Sequence, residues 1–197
     1  MNFNIEQGTE EWFGLRRGRF TASMFYKLMS NKTTKGYNDV LQQVVFERLT
    51  GKTPPSYVND AMLRGTELEP VARQDYVFTT NNEVEQVGFV TLDDWVGCSP
   101  DGLVGEHGLL EIKCPNWNTH LDYLLADKLP SIYRWQVQGQ LYITGREWCD
   151  FYSYHPDLES FQKRVERNEK DIEELKERIK ESIEEVQLRI NKIKEKK

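Results

Sequence analysis

Apolar side chains recur at helical spacing in the first half of the chain. Between residues 40 and 49 they lie three or four positions apart, which predicts an amphipathic helix with Asn38 or Asp39 as its N-cap. Pro70 lies inside a later helical stretch, and we expect regular helix there to begin near Thr66. The other candidate N-caps are Thr9 before a short helix, Thr21 or Ser23 before one ending at Met29, and Asn59 or Asp60 before the longer one, which ends near Phe78.

From Val84 onward the pattern changes to short runs that are rich in β-branched and aromatic residues and separated by turn residues. The runs read VEQVGFVTL, DWVGCS and LLEIKC, with a Pro-Asp-Gly turn after the second. We interpret them as strands of a small antiparallel meander. Downstream, residues 121–126 and 131–144 are predicted helices, and the segments FYSYH and 161–165 are predicted strands.

Residues 168–197 are rich in charge but carry apolar side chains about 3.6 positions apart, from Ile172 to Ile193. This spacing drifts off a strict heptad, so we expect one amphipathic helix that packs on or extends from the body, in preference to a coiled coil. Neither an internal repeat nor a linker-like segment divides the chain. The sequence therefore predicts one α/β domain over residues 1–197.

Composition excludes several classes of protein. The chain of 197 residues has a net charge of -6, which argues against a protein that coats nucleic acid by bulk attraction, so any nucleic-acid contact must be local. It has neither about 18 consecutive apolar residues nor a basic and then apolar amino terminus, and we expect a cytoplasmic protein without a membrane segment. Its three cysteines form no CxxC pair, so we expect reduced thiols rather than a zinc site or a four-cysteine iron–sulfur cluster.

The segment most informative about chemistry joins Asp101 to Glu111 and Lys113. Because side chains alternate along a strand, Glu111 and Lys113 project from one face, about 7 Å apart, with Ile112 turned to the other face. If a three-residue loop, 105–107, joins the two strands, Asp101 lies opposite Glu111, whereas a four-residue loop would shift this register. The sequence leaves the loop length open.

Two carboxylates that converge on one point repel each other unless a cation lies between them. Oxygen ligands of this kind suit Mg²⁺ or Mn²⁺ better than zinc. Lys113 beside such an ion can orient or deprotonate a water, or neutralise charge in the transition state, which favours phosphodiester hydrolysis. For an isolated ExK sequence an exposed pair of Glu111 and Lys113 would be the better interpretation, and Asp101 in its turn is what favours the metal site.

Five sequence blocks match one family in order. They read QGTEEWFGLRRGRFTAS at 7–23, RGTELEPVAR at 64–73, GCSPDGL at 97–103, LLEIKCP at 109–115 and QVQGQLYITG at 136–145. On these blocks the chain resembles the lambda exonuclease or YqaJ-type recombination exonucleases of the PD-(D/E)xK nuclease superfamily, over about residues 7–170. The resemblance implies a restriction-endonuclease-like α/β core, with a central mixed sheet flanked by helices.

The resemblance also implies roles for individual residues. An acidic residue on the preceding helix helps to hold the metal, and Glu69 aligns best with it, leaving Glu67 as an alternative. Because Thr66 and Glu69 have capping-box spacing, helix capping is the other interpretation of Glu69. The resemblance further implies that Asp101, Glu111 and the Ile112 carbonyl are metal ligands and that Lys113 lies beside the attacking water. Gln136 matches the glutamine of the QxQ block of the family. The alternative interpretation of Gln136 is a solvated or core amide without a catalytic role.

A basic segment follows the first predicted helix. The guanidinium groups of Arg16, Arg17 and Arg19 can converge on one anion with the free N–H groups of the next helix, whose first turn carries Thr21 and Ser23. In lambda-type exonucleases the matching segment binds the 5′-terminal phosphate, which implies this role for Arg16 and Ser23, with the other three residues as further candidates. Without the resemblance, such a charge run is more often a solvated helix end.

Together these expectations describe a metal-dependent 5′-to-3′ exonuclease that degrades one strand of linear double-stranded DNA and leaves a 3′ single-stranded tail for recombination. The resemblance implies two Mg²⁺ ions, replaceable by Mn²⁺, a homotrimeric ring, a single-strand annealing protein as partner, and a phage- or prophage-encoded protein in the bacterial cytoplasm. Two alternatives stay open. One is an endonuclease or junction resolvase of the same superfamily, and the other is a catalytically inactive recruitment module that binds DNA ends.

Overall fold

The computed structural model describes residues 2–55 and 60–196 of the chain. Its helices are α1 (Glu10–Arg16), α2 (Phe25–Leu28), α3 (Lys35–Thr50), α4 (Asp60–Thr80), α5 (Trp117–Ala126), α6 (Arg134–Thr144) and α7 (Glu169–Lys194), and short 3₁₀ turns at Ala22–Met24 and Ser131–Tyr133 precede α2 and α6. Its strands are β1 (Asn2–Phe3), β2 (Phe20–Thr21), β3 (Val84–Glu85), β4 (Phe89–Thr91), β5 (Val96–Cys98), β6 (Gly102–Val104), β7 (Gly108–Lys113), β8 (Trp148–Ser153) and β9 (Phe161–Glu166).

The strands form two sheets. One has the order β1-β4-β5-β2, and the other has the order β3-β6-β7-β8-β9. In the second sheet β7 runs parallel to β8 along its full length and antiparallel to β6. We call this five-stranded mixed sheet the central sheet.

The single antiparallel meander predicted from Val84 onward is wrong. The run VEQVGFVTL divides into β3 and β4, which lie in different sheets, and β5 and β6 are separated in the same way. Alternation identifies a strand but not its partner, and β5 pairs in parallel with the distant β2, where Phe20 lies opposite Val96. Gly88 permits the close crossing between β3 and β4, because a Cβ there would lie 2.1 Å from the Ile5 carbonyl oxygen.

Helix α3 begins earlier than predicted. Its N-cap is Thr34, whose side chain accepts a hydrogen bond from the backbone N–H of Tyr37, and neither Asn38 nor Asp39 caps it. The prediction began from the apolar pattern at residue 40, and the first turn of the helix contributes only Tyr37 to that pattern.

Helix α4 also differs from the prediction, because it is continuous through Pro70 and does not begin its regular turns near Thr66. A proline removes one backbone hydrogen bond, and burial of Ala72 and Tyr76 against the central sheet offsets that loss. The alternative N-cap Asn59 lies outside the described residues.

Helices cover both faces of the central sheet. Successive residues of β7 point to opposite faces, so Leu109 packs in one cluster and Leu110 in another. The first cluster joins the sheet to α6 and α7 and includes Leu109, Val137, Leu141 and Leu175. The second joins it to α4 and consists of Ala72, Tyr76, Val104, Leu110, Ile112 and Tyr152. The expected mixed sheet flanked by helices is confirmed.

Helix α7 packs on the body, as its apolar spacing predicts. Leu175 and Val186 are fully buried in the main core, and Arg134 of α6 donates two hydrogen bonds to Asp171, at 2.6 and 2.7 Å. Ile193 is 41% exposed, so the packing weakens toward the end of the helix. Among the described residues, no helix is both long and apolar enough to cross a lipid bilayer.

Candidate active site

The hairpin of β6 and β7 carries the predicted catalytic residues. Its loop has three residues, 105–107, and Gly102 pairs with Leu110. Extending that register by one position places Asp101 opposite Glu111. The loop length that the sequence left open is therefore the one that brings the two carboxylates together.

Asp101 lies where the chain crosses from one sheet to the other. Its Oδ2 accepts a hydrogen bond of 2.6 Å from the backbone N–H of Ile112. Burial, together with the negative charges of Glu111 and Glu69, raises the pKa of Asp101 well above its ordinary value, and the Lys113 ammonium opposes this shift. The ionised form of Asp101 is therefore unfavourable here unless a cation lies close to it.

Glu111 is 1% exposed, and three donors bind its carboxylate. Oε1 accepts hydrogen bonds from Gln136 Nε2 (2.5 Å) and from the Lys113 ammonium, while Oε2 accepts one from Gln140 Nε2 (2.6 Å). Burial lowers the pKa of Lys113, but the charges of Glu111 and Asp101 outweigh it and raise that pKa above its ordinary value. The lysine is therefore held protonated beside the carboxylates.

Glu69 projects from α4 toward the same region. Its carboxylate is bound by Arg73, one turn later in the helix, and Arg73 Nε also donates to the backbone carbonyl of Asp101 at 3.2 Å. The capping-box interpretation of Glu69 is wrong, because Thr66 lies in the interior of α4 and not at its start. The alternative carboxylate, Glu67, is exposed to solvent.

The described residues contain no ready cluster of three or more His, Cys, Asp or Glu side chains that would hold a metal ion. Asp101 and Glu111 supply two carboxylates, and Glu69 is paired with Arg73. These groups fit a divalent cation with oxygen ligands, because a cation between them would offset both the burial and the charge repulsion that raise the pKa of Asp101. The backbone carbonyl of Ile112 and, after release of Arg73, the carboxylate of Glu69 would complete the ligand set.

A second part of the site surrounds Arg16 at the end of α1. The guanidinium donates to Ser99 Oγ at 3.1 Å, lies 3.5 Å from the hydroxyls of Thr21 and Ser23, and stacks on the Trp12 ring, 4.2 Å from its centroid. Arg16 forms no ion pair within the described chain, and burial lowers its pKa to about 10. A desolvated cation among hydroxyl groups, without a carboxylate partner, suits an anionic ligand.

The other two candidate arginines point elsewhere. Arg17 forms an ion pair with Glu10 at 2.8 Å, while Arg19 donates to the Leu15 carbonyl at 2.6 Å and lies 3.8 Å from Asp94. These contacts join the end of α1 to neighbouring backbone and surface groups. Of the three arginines, only Arg16 enters the pocket that the hydroxyl groups form.

Two residues of the site escaped the sequence analysis. Ser99 accepts hydrogen bonds from Arg16 and from Trp12 Nε1, the latter at 2.9 Å. The feature of the sequence that could have identified Ser99 is its position two residues before Asp101. Gln140 was not distinguished from its neighbours, although it follows Gln136 by four positions and so shares its helix face.

A cleft of about 810 Å³ opens between α1, α4 and the hairpin. Its lining includes Trp12, Phe13, Leu63, Glu69, Arg73 and Asp101. Because Trp12 also supports the Arg16 guanidinium, the cleft extends from the wall of the arginine pocket to Glu69 and Asp101.

Residues 11–147 match the family model of the YqaJ-like viral recombinase domain. The chain belongs to this family. The alkaline exonuclease LHK-Exo from Laribacter hongkongensis is 39% identical, and the match covers 95% of this YqaJ-like chain and 97% of that one with a TM-score of 0.89. The structure of LHK-Exo in complex with dAMP matches with a TM-score of 0.90. The family resemblance drawn from the five sequence blocks is confirmed.

Two further relatives are more distant. A phage related exonuclease from Haemophilus somnus 129PT shares the fold at 14% identity, with a TM-score of 0.73 over 89% of this YqaJ-like chain and 96% of that one. The uncharacterized protein R354 of Acanthamoeba polyphaga mimivirus is 28% identical over an alignment of 165 residues, and the match covers 75% of this chain and 29% of that protein. The chain thus spans less than a third of the length of this curated relative.

Proposed function

We propose that this protein is a metal-dependent 5′-to-3′ exonuclease that degrades one strand of linear double-stranded DNA and leaves a 3′ single-stranded tail for recombination by strand annealing. Membership of the YqaJ-like viral recombinase family and the 39% identity to LHK-Exo indicate a nuclease. The direction of digestion, the metal and the form of the DNA substrate are proposed here in addition to the nuclease activity.

The observation that carries the direction of digestion is the Arg16 pocket. A terminal 5′-phosphate has more negative charge than an internal phosphodiester, and a desolvated guanidinium among three hydroxyl groups favours such a group. Ser99 in this pocket and Asp101 are two residues apart, which is at most about 7 Å along the chain. A strand end held by Arg16 would therefore bring one of its first phosphodiester bonds to the carboxylates.

The hairpin residues suit phosphodiester hydrolysis. Two Mg²⁺ ions, or Mn²⁺ ions in their place, would act here as Lewis acids and would lower the pKa of a bound water. Asp101 and Glu111 would hold the ions, together with the Ile112 carbonyl and Glu69. Lys113, which donates to Glu111, would lie beside the attacking water, where it would orient or deprotonate that water or neutralise charge in the transition state.

The cleft beside Asp101 suits the nucleotide product. LHK-Exo forms a complex with dAMP, a deoxynucleoside monophosphate, which is the unit that stepwise digestion of DNA releases. In this chain the cleft is lined by the aromatic side chains of Trp12 and Phe13 and also by polar side chains. Aromatic rings suit stacking with a base, and polar groups suit its sugar phosphate.

The same proposal extends to assembly and partners. From the family resemblance we expect a homotrimeric ring of single-domain subunits around the DNA, a single-strand annealing protein as partner, and a phage- or prophage-encoded protein in the bacterial cytoplasm. With a net charge of -6, such a ring requires that its basic side chains be concentrated where the DNA passes.

An endonuclease or junction resolvase of the same superfamily is the second candidate, because it would use the same Asp101, Glu111 and Lys113. It has no need of a pocket for a terminal phosphate, and Arg16, which lies among three hydroxyl groups and forms no ion pair with the described residues, therefore favours the exonuclease. A recruitment module without activity would keep the pocket but has no need of the complete carboxylate and lysine set.

The deciding experiment incubates the protein and Mg²⁺ with linear duplex bearing 5′-phosphate or 5′-hydroxyl ends, and with closed circular DNA. We expect rapid release of mononucleotides from 5′-phosphorylated ends and intact circles. Lys113→Ala should lower the rate about 10²- to 10³-fold, because it removes a group that stabilises charge in the transition state. Cleavage of closed circles would indicate an endonuclease, and end binding without cleavage would indicate the recruitment module.

A further inference from the structure

Gln140 of α6 is a buried polar residue that the chemistry described above does not use. It is 1% exposed, and its Nε2 donates to Glu111 Oε2 at 2.6 Å. Its Oε1 is the only buried side-chain nitrogen or oxygen, among those the structure describes, without a hydrogen-bond partner. Since a half-satisfied buried amide is unfavourable, its presence points to a role beyond packing.

Gln136 and Gln140 bind the two oxygens of a single carboxylate. They lie one helical turn apart on the same face of α6, with Gln136 on Oε1 and Gln140 on Oε2 of Glu111. A carboxylate with both oxygens held cannot rotate about its last torsion, so the lone pairs that remain keep one direction. Because Gln140 Oε1 is unpaired, the bond to Glu111 is the contact that orients this amide.

Gln138 lies on the same helix and has a different function. It is 3% exposed, its Nε2 donates to the Glu166 carbonyl at 2.9 Å, and its Oε1 accepts from the backbone N–H of Asn168 at 2.9 Å. Gln138 thus joins α6 to the segment between β9 and α7. Gln138 is therefore a buried glutamine of α6 that does not contact Glu111, and it can be compared directly with Gln140, which does.

We propose that Gln140 is a positioning residue for metal binding, which acts by holding Glu111 Oε2 so that the carboxylate presents a fixed direction to a divalent cation. This inference rests on the proposed metal-dependent function and adds a residue to it. Groups that orient metal ligands through hydrogen bonds typically contribute 10- to 100-fold to metal affinity.

The test measures Mn²⁺ binding to the intact protein by the electron paramagnetic resonance signal of the free ion. Gln140→Met keeps the length of the side chain and removes its amide, and Gln138→Met is the matched control. We expect Gln140→Met to weaken Mn²⁺ affinity about 10- to 100-fold at a temperature where the protein is folded. Gln138→Met should lower the thermal midpoint and leave the Mn²⁺ affinity unchanged.

Wild-type Mn²⁺ affinity in Gln140→Met would overturn the inference, and so would an equal loss of affinity in both variants. If the wild type binds Mn²⁺ but Gln140→Met does not differ, only the role of Gln140 fails. If the wild type binds no Mn²⁺, the metal-dependent function fails with it. Should Gln140→Met not fold, Gln140→Asn retains an amide that is too short to reach Glu111, and the same loss of affinity is expected.

Discussion

Arg16, Arg17 and Arg19, at and just after the end of α1, show how the neighbours of a side chain determine its chemistry. Arg17 and Arg19 find a carboxylate or carbonyl partner near the surface, whereas Arg16 is enclosed by hydroxyl groups and an indole ring. Desolvation of a guanidinium without a counter-charge is unfavourable, and under the proposed function a 5′-phosphate bound beside Arg16 would offset that cost.

Arg16→Ala should remove the preference for 5′-phosphorylated ends. Hydrogen bonds to a charged group contribute about 1.5–3 kcal/mol, so we expect the ratio of kcat/KM for 5′-phosphate over 5′-hydroxyl duplex to fall about 10- to 100-fold. Arg17→Ala is the control, because Arg17 is paired with Glu10 outside the pocket. An Arg16→Ala enzyme that keeps the wild-type ratio would show that the phosphate is bound elsewhere.

From the raised pKa of Tyr152 we expect the free energy of unfolding to decrease at alkaline pH. Its hydroxyl donates to Asp75 Oδ2 at 2.5 Å, and burial, with this hydrogen bond, raises its pKa from 10.0 to about 12. Between these values the unfolded chain loses the phenol proton while the folded chain retains it, so the free energy of unfolding falls as pH rises. Urea unfolding at several pH values between 9 and 12 should show a shallower decline in Tyr152→Phe. The same slope in both proteins would contradict this role.

At the scale of elements, local signals located the helices and strands better than their ends and partners. The capping of α1 by Thr9 was predicted and is observed, with a hydrogen bond from the Trp12 N–H. The start of α3 was missed because its first turn is polar, and its cap, Thr34, lies before the apolar pattern begins. An apolar period marks the buried face of a helix, and the first turn of α3 adds only Tyr37 to that face, which leaves its start without a repeating signal.

Thr34→Ala should lower the free energy of unfolding by about 1 kcal/mol, the usual loss when a helix N-cap is removed. Asp39→Ala is the control, because Asp39 forms only an exposed ion pair with Lys35, and such pairs contribute little. Urea unfolding of both variants measures the difference. A larger loss in Asp39→Ala than in Thr34→Ala would contradict the assignment of the cap.

At the scale of the whole molecule, α7 completes the core. Its apolar residues pack with α3 and α6, and Leu175 lies beside Gly139 and Phe25 in the main cluster. Helix α7 is therefore part of the hydrophobic core, on the face of the central sheet that carries Glu111. Its opposite face is exposed to solvent and rich in charged residues.

Leu175→Ala should lower the free energy of unfolding by about 2–5 kcal/mol, as for other fully buried leucines. Leu188 of the same helix is 48% exposed, and Leu188→Ala should cost less than about 1 kcal/mol. Thermal and urea unfolding measure both values. Similar losses in the two variants would show that α7 does not pack along the core as described.

The sequence by itself determined the positions of most helices and strands, because periodicity and capping act between residues a few positions apart. It also identified Asp101, Glu111 and Lys113, which one hairpin brings together. Only the tertiary structure decided which strands pair, which arginine lies among the hydroxyl groups, and that Gln140 reaches Glu111. Those outcomes depend on contacts between segments far apart in the chain, and packing selects among contacts that a local pattern leaves equally open.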